Sequence, residues 1–370
     1  MSPVAEARRL IVKIGSSLLV DEASGEMRRD WLDSLADDVA RLRARGQEVI
    51  LVSSGAVAVG RRHLGLIPPL RLEEKQAAAA CGQIRLAHAY QEALARHGLT
   101  VAQVLLTLED SDDRRRYLNA RSTLDTLLKL GAVPVINEND TVATAEIRFG
   151  DNDRLAARVA QMIAADALVL FSDIDGLYTA DPRRDPAAEF IPEVRELTPE
   201  IEAMAGDPGS GYGSGGMITK LLAARICLSA GCRMAIAQGH ALNPLTAIEE
   251  GGRCTWFLPQ SSPRTARKQW IFGAMKPMGA VVVDAGAARA LADGRSLLPA
   301  GITAIEGGFD RGDCILVKDG SGHELGRGLT NYSAEDALRI IGRKSAEIEA
   351  ILGYRGRMEV IHRDDLAVEG

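Results

Sequence analysis

Short, continuous apolar runs separated by helical segments are the feature that most constrains the fold of this chain. The runs are Leu10–Ile14, Val49–Val52, Val101–Leu106, Val133–Ile136 and Ala167–Phe171. Helical patterns lie at Asp30–Arg45, Glu73–His97, Arg114–Leu130 and Arg154–Ala164. Strands without polar alternation are buried on both faces, as in a parallel sheet covered by helices on each side. The sequence therefore predicts an α/β fold, a three-layer αβα arrangement with a mainly parallel sheet. Asp30 is predicted to cap the first of these helices.

The bulk properties set limits on the class of protein. The chain has 370 residues, enough for two or three domains, with 46% hydrophobic residues and a net charge of −6. A negative net charge argues against a protein that mainly binds nucleic acid, because phosphate contacts need a surplus of Lys and Arg. The N-terminus has no apolar signal core and no window resembles a membrane span, so a cytoplasmic protein with no membrane contact is expected.

Five cysteines are scattered along the chain, at positions 81, 227, 232, 254 and 314. No CxxC pair is present, so neither a zinc site nor a disulfide framework is indicated. We expect these side chains to be small buried hydrophobes in a reducing compartment.

Two strands end in small residues that suit an anion. Lys13 lies inside the first apolar strand, which is costly unless the side chain emerges at the sheet edge or meets an anion. Gly15-Ser16-Ser17 follow it, and Ser53-Ser54-Gly55 follow the second strand in the same way. Helix N-termini reached through such residues are natural phosphate or carboxylate sites.

The stretch Val133–Asp153 carries two dense clusters of carboxylates and amides. Asn137–Asp140 follow a strand directly, and Asp151–Asp153 precede a helix. Ligands bind at the carboxyl ends of strands in α/β sheets, so these clusters predict a site for a small polar molecule and its metal. The alternative is that both are only turns, since Asn, Asp and Gly dominate turns. The excursion between them, Thr141–Phe149, is interpreted as a lid or an interface element.

Residues 206–220 form a glycine-rich loop, GDPGSGYGSGGMITK, before the helical pattern Met217–Ala230. Gly211, Gly213 and Gly216 match G-x-G-x-x-G, but no strand precedes them, so a dinucleotide site is rejected. Lys220 in the first helical turn opposes the helix dipole, and a bound phosphate would reverse that penalty. A plain glycine linker remains the alternative.

The composition changes after the strands Arg233–Ala237 and Thr255–Leu258. Pro259–Gln269 is polar with two prolines and reads as a domain boundary. Short strands separated by Gly and Asp turns follow, and they indicate a small β-barrel-like domain. These strands are Val281–Asp284, Gly301–Glu306, Cys314–Lys318 and Glu324–Leu329. A helical tail is predicted from Ser333 to Ile351.

Six segments in this order resemble the glutamate 5-kinases of the amino acid kinase superfamily. They read VKIGSSLL, VSSGAVAVG, VPVINENDTVAT, FGDNDRLAA, FSDIDGLYTADPR and GSGGMITK. A later run, SLLPAGITAIEGGFDRGDCILV, resembles a PUA domain. The resemblance covers about residues 8–356. It implies an amino acid kinase domain at 8–258, a linker at 259–277 and a PUA-like, barrel-like domain at 278–356. Ser16 and Ser172 stand where the family often has Thr, and both keep a hydroxyl.

The resemblance implies ATP-dependent phosphorylation of the γ-carboxylate of L-glutamate to L-glutamyl 5-phosphate, the first step of proline synthesis. It also implies feedback inhibition by proline, and a homodimer or homotetramer. Lys13 and Lys220 would contact the transferring phosphoryl group, with Asp153 orienting both lysines. Glutamate would be held by Ser53, Asp140 and Asn152. The nucleotide would be bound by Lys13 and by Ser172, Asp173, Ser214, Gly215, Gly216, Met217, Ile218, Thr219 and Lys220.

The residue types agree with this chemistry. Phosphoryl transfer needs positioning and positive charge. A carboxylate nucleophile is already ionised at neutral pH, so no general base is required. None of the six histidines lies in a motif or beside a candidate nucleophile, which argues against an acyl-transfer triad. Asp151, Asp153 and Asp173 remain as candidates to hold Mg²⁺. Asp140 suits the substrate ammonium group, and Asn152 with loop amides suits its carboxylate.

Two alternatives remain. The first is a kinase of the same superfamily that acts on aspartate or N-acetylglutamate. The second is an RNA-binding accessory protein, because of the PUA-like domain. Residues 278–356 carry nine Lys/Arg and eleven Asp/Glu, a local charge of −2. RNA binding by this domain is therefore not expected, and a structural or regulatory role is predicted.

Overall fold

The computed structural model describes residues 2–21, 26–142, 152–205, 216–274 and 276–368. The chain divides into two compact units. Unit 1 comprises 1–113 and 119–263, and unit 2 comprises 114–118 and 264–370. Within the described ranges, no helix combines the length and the apolar character that crossing a membrane requires.

Unit 1 is built on a sheet of eight strands with the order β3-β4-β2-β1-β5-β9-β10-β8. All neighbours are parallel except β9 and β10, which are antiparallel. The strands are β1 Arg9–Ile14, β2 Glu48–Ser53, β3 Val101–Leu106, β4 Val133–Glu138, β5 Ala167–Ser172, β8 Glu193–Val194, β9 Arg233–Gln238 and β10 Cys254–Phe257. A separate hairpin pairs β6 Leu177–Tyr178 with β7 Phe190–Ile191.

Helices connect these strands. They are α1 Pro3–Glu6, α2 Ser16–Leu19, α3 Arg29–Ala44, α4 Ala56–His63, α5 Leu72–Ala95, α6 Leu108–Asp112, α7 Arg114–Lys129, α8 Asn152–Met162, α9 Pro199–Ala203, α10 Met217–Ser229 and α11 Pro244–Glu249. The apolar stripe of α3 is buried as its spacing predicts, with Trp31, Leu35, Val39 and Leu42 all in the core. The predicted α/β fold with a mainly parallel sheet is confirmed.

Unit 2 contains a five-stranded sheet with the order β12-β11-β13-β14-β15 and its own hydrophobic core. The strands are β11 Gly279–Val283, β12 Ile302–Gly307, β13 Cys314–Lys318, β14 Glu324–Thr330 and β15 Ile361–Val368. The helices are α12 Pro263–Ala274, α13 Ala285–Ala292, α14 Ala334–Ile340 and α15 Ile348–Leu352, with single 3-10 turns at Pro299–Gly301 and Ser345–Glu347. The prediction of a small mainly-β domain is confirmed.

Several local predictions differ from the structure. The segment predicted as a linker, 259–277, contains helix α12, and α13 and the edge strand β15 were not predicted. The predicted tail helix is two short helices, because Gly342 adopts a left-handed φ of 70° that breaks it. The predicted cap at Asp30 is wrong, since Arg28 occupies the N-cap position and Asp30 lies in the first turn.

Two glycines allow helices α4 and α5 to touch backbone to backbone. A Cβ built on Gly60 would lie 1.7 Å from the carbonyl oxygen of Ala78, and one built on Gly82 would lie 1.8 Å from that of Ala56. Gly55, with φ of 101°, makes the turn from β2 into α4. This close crossing fixes α5 behind the carboxyl end of β2.

All five cysteines are free. Cys81 is half-buried and the other four are buried, as expected for small hydrophobes.

Candidate active site

The candidate site lies at the carboxyl ends of four adjacent strands in the order β4-β2-β1-β5. Parallel pairing places Ile14 of β1 opposite Ser53 of β2 and opposite Phe171 of β5. The residues that end these strands therefore share one sheet edge, where α/β proteins bind ligands. Of the predicted glutamate residues, Ser53 ends β2, Asp140 follows β4 and Asn152 begins α8. Of the predicted nucleotide residues, Lys13 lies in β1, Ser172 ends β5 and Lys220 lies in α10.

Asp153 joins the two lysines. It lies in the first turn of α8 and is 1% exposed. Its Oδ1 is 2.7 Å from Lys13 Nζ, and its Oδ2 is 3.2 Å from Lys220 Nζ. The hydroxyl of Thr219 donates to Oδ2 at 2.9 Å. The structure thus brings together the three residues predicted as catalytic, from β1, α8 and α10.

This cluster is strongly stabilised in its ionised form. Burial alone raises the pKa of the Asp153 carboxyl, but the ammonium groups of Lys13 and Lys220 outweigh burial and lower the pKa to about 2. Lys220 also interacts with the Asp173 carboxylate, where burial raises the pKa and Lys220 lowers it. Two ammonium groups held in place at this sheet edge suit an incoming phosphate.

Asn152 connects the site to β2 and β4. Its Nδ2 donates to Ser53 O at 2.9 Å, to Ser54 Oγ at 2.8 Å and to Asn137 Oδ1 at 3.2 Å. The Ser53 carbonyl can only accept, so it fixes which amide atom is the nitrogen. Oδ1 of Asn152 is buried and has no hydrogen-bond partner among the described residues.

This arrangement corrects the predicted role of Asn152. The amide nitrogen that was expected to bind a substrate carboxylate is already used by the strand ends. The atom that remains is an acceptor, which suits an ammonium group instead.

Asp140 is a buried carboxylate with no cationic partner among the described residues. It follows β4, is 8% exposed, and forms no hydrogen bond or ion pair with any residue that the structure describes. Burial raises the pKa of Asp140 to about 6. Such a group favours a cation as ligand, because an uncompensated buried carboxylate is costly.

Ser53 ends β2 and is fully buried. It accepts a hydrogen bond from the phenol of Tyr90 at 3.1 Å, and its own hydroxyl donates to Ser54 O at 3.2 Å. Tyr90 lies on α5 and is itself fully buried, and burial raises the pKa of its phenol far above the ordinary value. The Tyr90 hydroxyl is therefore a donor across the working pH range.

The predicted nucleotide residues lie at the end of β5 and the start of α10. Ser172 Oγ donates to Asp173 Oδ1 at 2.9 Å. Gly216 is the N-cap of α10, whose first turn contains no acidic residue, and Met217, Ile218, Thr219 and Lys220 follow. The predicted residues Ser214 and Gly215 lie outside the described part of the chain, as do Asp151 and most of the excursion Thr141–Phe149.

The carboxylates of Asp153 and Asp173 differ in their suitability as metal ligands. Both oxygens of Asp153 face ammonium groups, so a second cation there is disfavoured and this candidate is set aside. Asp173 has an exposed carboxylate. Burial raises its pKa, but the Ser172 hydroxyl and nearby cations lower it further, so it stays ionised. The described residues contain no cluster of three or more ligating side chains. One carboxylate still fits Mg²⁺, which is commonly held by a carboxylate together with substrate phosphates.

Sequence reasoning missed the residues that support the site. Asn137 and Glu138 were predicted as loop, but they extend β4 because they pair with Leu105 and Leu106 of β3. Tyr90 gave no signal, because an aromatic residue at helical spacing in α5 looks like ordinary core. Ser54, whose hydroxyl accepts a hydrogen bond from Asn152, was noted in the sequence only as part of the Ser-Ser-Gly pattern.

Comparisons with known proteins identify the family of the chain. A family model described as the amino acid kinase family matches residues 8–238, and one described as the PUA domain matches 279–352. The glutamate 5-kinase of Paramagnetospirillum magneticum is 79% identical over 370 residues, 100% of both chains. That of Rhodospirillum rubrum is 62% identical, covering 97% of this chain and 96% of its own.

Among solved structures, UMP kinase from Ureaplasma parvum is 13% identical and aligns with a TM-score of 0.48, covering 68% of this chain and 98% of its own. A similarity this low supports no conclusion about the site.

Proposed function

Because the chain belongs to the amino acid kinase family, and within it to the glutamate 5-kinases, we propose that it transfers the γ-phosphoryl group of ATP to the γ-carboxylate of L-glutamate. A carboxylate oxygen of glutamate forms a bond to the γ-phosphorus, and the bond from that phosphorus to the β,γ-bridging oxygen breaks. The products are L-glutamyl 5-phosphate and ADP. The reaction supplies the first intermediate of proline synthesis.

The observation that carries this proposal is the pairing of Asp153 with both lysines. Lys13 of β1 and Lys220 of helix α10 approach one carboxylate, at 2.7 and 3.2 Å. Preorganised ammonium groups of this kind stabilise the charge that spreads over the equatorial and leaving oxygens during transfer. Asp153 holds the lysines in place before ATP arrives, so it acts as a positioning residue for both.

The nucleophile needs no general base. A carboxylate is already ionised at neutral pH. Accordingly, the partners of Asp153 among the described residues are Lys13, Lys220 and Thr219, and none of them is a histidine. Asp140 and the Asn152 Oδ1, neither of which has a partner among the described residues, would hold the ammonium group of glutamate.

Nucleotide binding would use the end of β5 and the first turn of α10. We assign this role to Ser172, Asp173 and Gly216–Lys220, because a helix N-terminus without acidic residues in its first turn suits a phosphate. A divalent ion supplies charge neutralisation on the β- and γ-phosphates, and Asp173 would be the side chain that holds it. Ser214 and Gly215 belong to the same proposal.

Regulation by proline and assembly into dimers or tetramers are also proposed on the basis of the family resemblance. Proline shares the α-amino acid core of glutamate, so it would compete for Asp140 and its surroundings. A cytoplasmic location and a structural or regulatory role for the PUA domain, without RNA binding, are likewise proposals.

The test is an ADP-release assay with ATP and one of three acceptors: L-glutamate, L-aspartate and N-acetyl-L-glutamate. Hydroxylamine traps the acyl phosphate and shows that the carboxylate is the acceptor. We expect turnover with glutamate alone. N-Acetylglutamate should fail because it lacks the ammonium group that Asp140 requires. Faster turnover with aspartate or N-acetylglutamate would contradict the proposed substrate.

A further inference from the structure

We propose that Tyr90 is a positioning residue that sets the direction of the Ser53 hydroxyl, so that Ser53 donates its hydrogen bond to a carboxylate oxygen of the amino-acid substrate. This inference rests on the proposed function for the identity of that substrate. It assigns a role to a side chain of α5 that lies behind the site and does not touch the substrate.

The direction of the bond follows from burial. Tyr90 is fully buried, and Ser53 Oγ is the partner of its phenol among the described residues, at 3.1 Å. A buried hydroxyl hydrogen that finds no acceptor is costly, so Tyr90 must donate to Ser53. Ser53 has an alternative acceptor, the carbonyl of Ser54 at 3.2 Å, and so it can donate elsewhere.

The hydrogen bond from Tyr90 fixes the direction of the Ser53 hydroxyl hydrogen. A hydroxyl has one hydrogen and two acceptor positions. When Tyr90 fills one acceptor position, the Ser53 hydrogen points away from α5, toward Ser54 and the strand ends. In this state Ser53 is predisposed to donate to an anion. A carboxylate can replace the weak bond to the Ser54 carbonyl with a stronger, charge-assisted one.

Helix α5 is held in place for this role by a second contact. Gln83 lies seven residues before Tyr90, on the same face of the helix, and its Nε2 donates to the carbonyl of Glu138 at 3.2 Å. Glu138 ends β4, as Ser53 ends β2. Helix α5 therefore contacts both strands whose ends carry the predicted glutamate residues.

The test is Tyr90→Phe, which removes one oxygen and keeps the ring. We expect the KM for glutamate to rise about tenfold, the value for losing one hydrogen bond to a charged group, while the KM for ATP stays within about twofold. In a Ser53→Ala background the same change should alter the glutamate KM less than about twofold, because the hydroxyl that Tyr90 orients is gone. An equal effect in both backgrounds would overturn the proposal.

Tyr332→Phe is the matched control. Tyr332 is 2% exposed and its hydroxyl also donates to a backbone carbonyl, that of Arg357, but it lies in the core of unit 2. We expect this variant to lower stability and leave the glutamate KM unchanged. A purely structural role for Tyr90 would give the same outcome as Tyr332→Phe.

Failure of the proposed function and failure of the role of Tyr90 give different results. No turnover of glutamate by the unaltered enzyme would reject the function, whereas normal turnover with an unchanged KM in Tyr90→Phe would reject only the role of Tyr90. If Tyr90→Phe does not fold, Ser53→Ala tests the bond itself. It should lower the unfolding temperature by leaving the phenol without its acceptor, and unchanged stability would overturn the proposal.

Discussion

At the scale of single residues, the candidate site contains a buried charge that a ligand would neutralise. Asp140 is a buried carboxylate with no cation beside it among the described residues. A glutamate ammonium group would supply that cation. Without it the buried carboxylate costs stability, as is common where function requires a preorganised site.

Asp140→Asn tests this trade-off between stability and binding. Burial raises the folded-state pKa of Asp140 to about 6, above its unfolded value near 4. The folded protein therefore binds the extra proton between about pH 4 and pH 6, and its stability falls as pH rises through that window. Above it the cost reaches up to about 3 kcal/mol, and Asn removes that cost.

We expect Asp140→Asn to raise the free energy of unfolding by about 1–3 kcal/mol at pH 8 and to give no gain at pH 4, as measured by urea denaturation. The glutamate KM should rise more than about tenfold. The kcat/KM of the unaltered enzyme for glutamate should fall below about pH 6, where Asp140 is protonated. The exposed Asp293, changed to Asn, is the control and should alter neither quantity. Equal stability of Asp140→Asn at both pH values would contradict the account.

At the scale of elements, the crossing of α4 and α5 supports the amino-acid side of the site. Gly60 and Gly82 leave room for backbone contact that any side chain would block. Helix α4 begins three residues after Ser53, and α5 carries Tyr90. A displacement of either helix would therefore also move Ser53 at the end of β2.

Gly82→Ala would place a Cβ 1.8 Å from a carbonyl oxygen of α4 and must push the helices apart. We expect a loss of about 3 kcal/mol in the free energy of unfolding by urea denaturation, together with a higher glutamate KM. Gly273→Ala is the matched control, because that exposed helical glycine of α12 has nothing within 4 Å. It should gain about 0.5–1 kcal/mol from helix propensity. Similar effects of the two changes would show that the crossing is not tight.

At the scale of the whole molecule, the chain contains two units with separate hydrophobic cores. Unit 2 is fastened internally by a buried pair: Arg267 Nη2 lies 2.6 Å from Asp365 Oδ1, and Nη1 lies 3.3 Å from the hydroxyl of Tyr117. This pair joins helix α12 to strand β15 and to residues 114–118. It explains why a polar segment that resembles a linker is part of the second unit.

Calorimetry of the full chain tests the independence of the units. We expect two thermal transitions, of which glutamate with ADP raises only the one that belongs to unit 1. Arg267→Met removes the guanidinium group that lies 2.6 Å from Asp365 and should destabilise unit 2 by about 3–5 kcal/mol, lowering the other transition. Arg264→Met is the control, since its partner Asp364 is at 3.4 Å on the surface and contributes little. A single transition that both ligand and Arg267→Met shift would contradict independent units.

The charge of the second unit depends on where its boundary lies. Residues 278–356 carry a net −2, whereas unit 2 as the structure defines it carries eighteen Lys/Arg and fifteen Asp/Glu, a net +3. Arg114–Arg116 and the residues of α12 account for most of the change. The absence of RNA binding stays a prediction, and the net positive charge of unit 2 does not support it.

The sequence by itself determined the fold class, the strand ends that carry the site and the chemistry of the residues there. It did so because apolar runs, glycines and polar clusters report on local structure, and a parallel sheet brings all strand ends to one edge. Lys13, Asp153 and Lys220 were identified by pattern and resemblance, and the structure places them in contact.

Only the tertiary structure decided which atoms remain available for ligands. Asn152 looked like a donor to a carboxylate, but Ser53 and Asn137, 99 and 15 residues away along the chain, use its nitrogen and leave its oxygen. The sequence pattern indicates an ordinary core residue at Tyr90, whereas in the structure its phenol donates a hydrogen bond to Ser53. A side chain's hydrogen-bond partners depend on contacts between distant segments, and a sequence pattern with a period of a few residues carries no information about them.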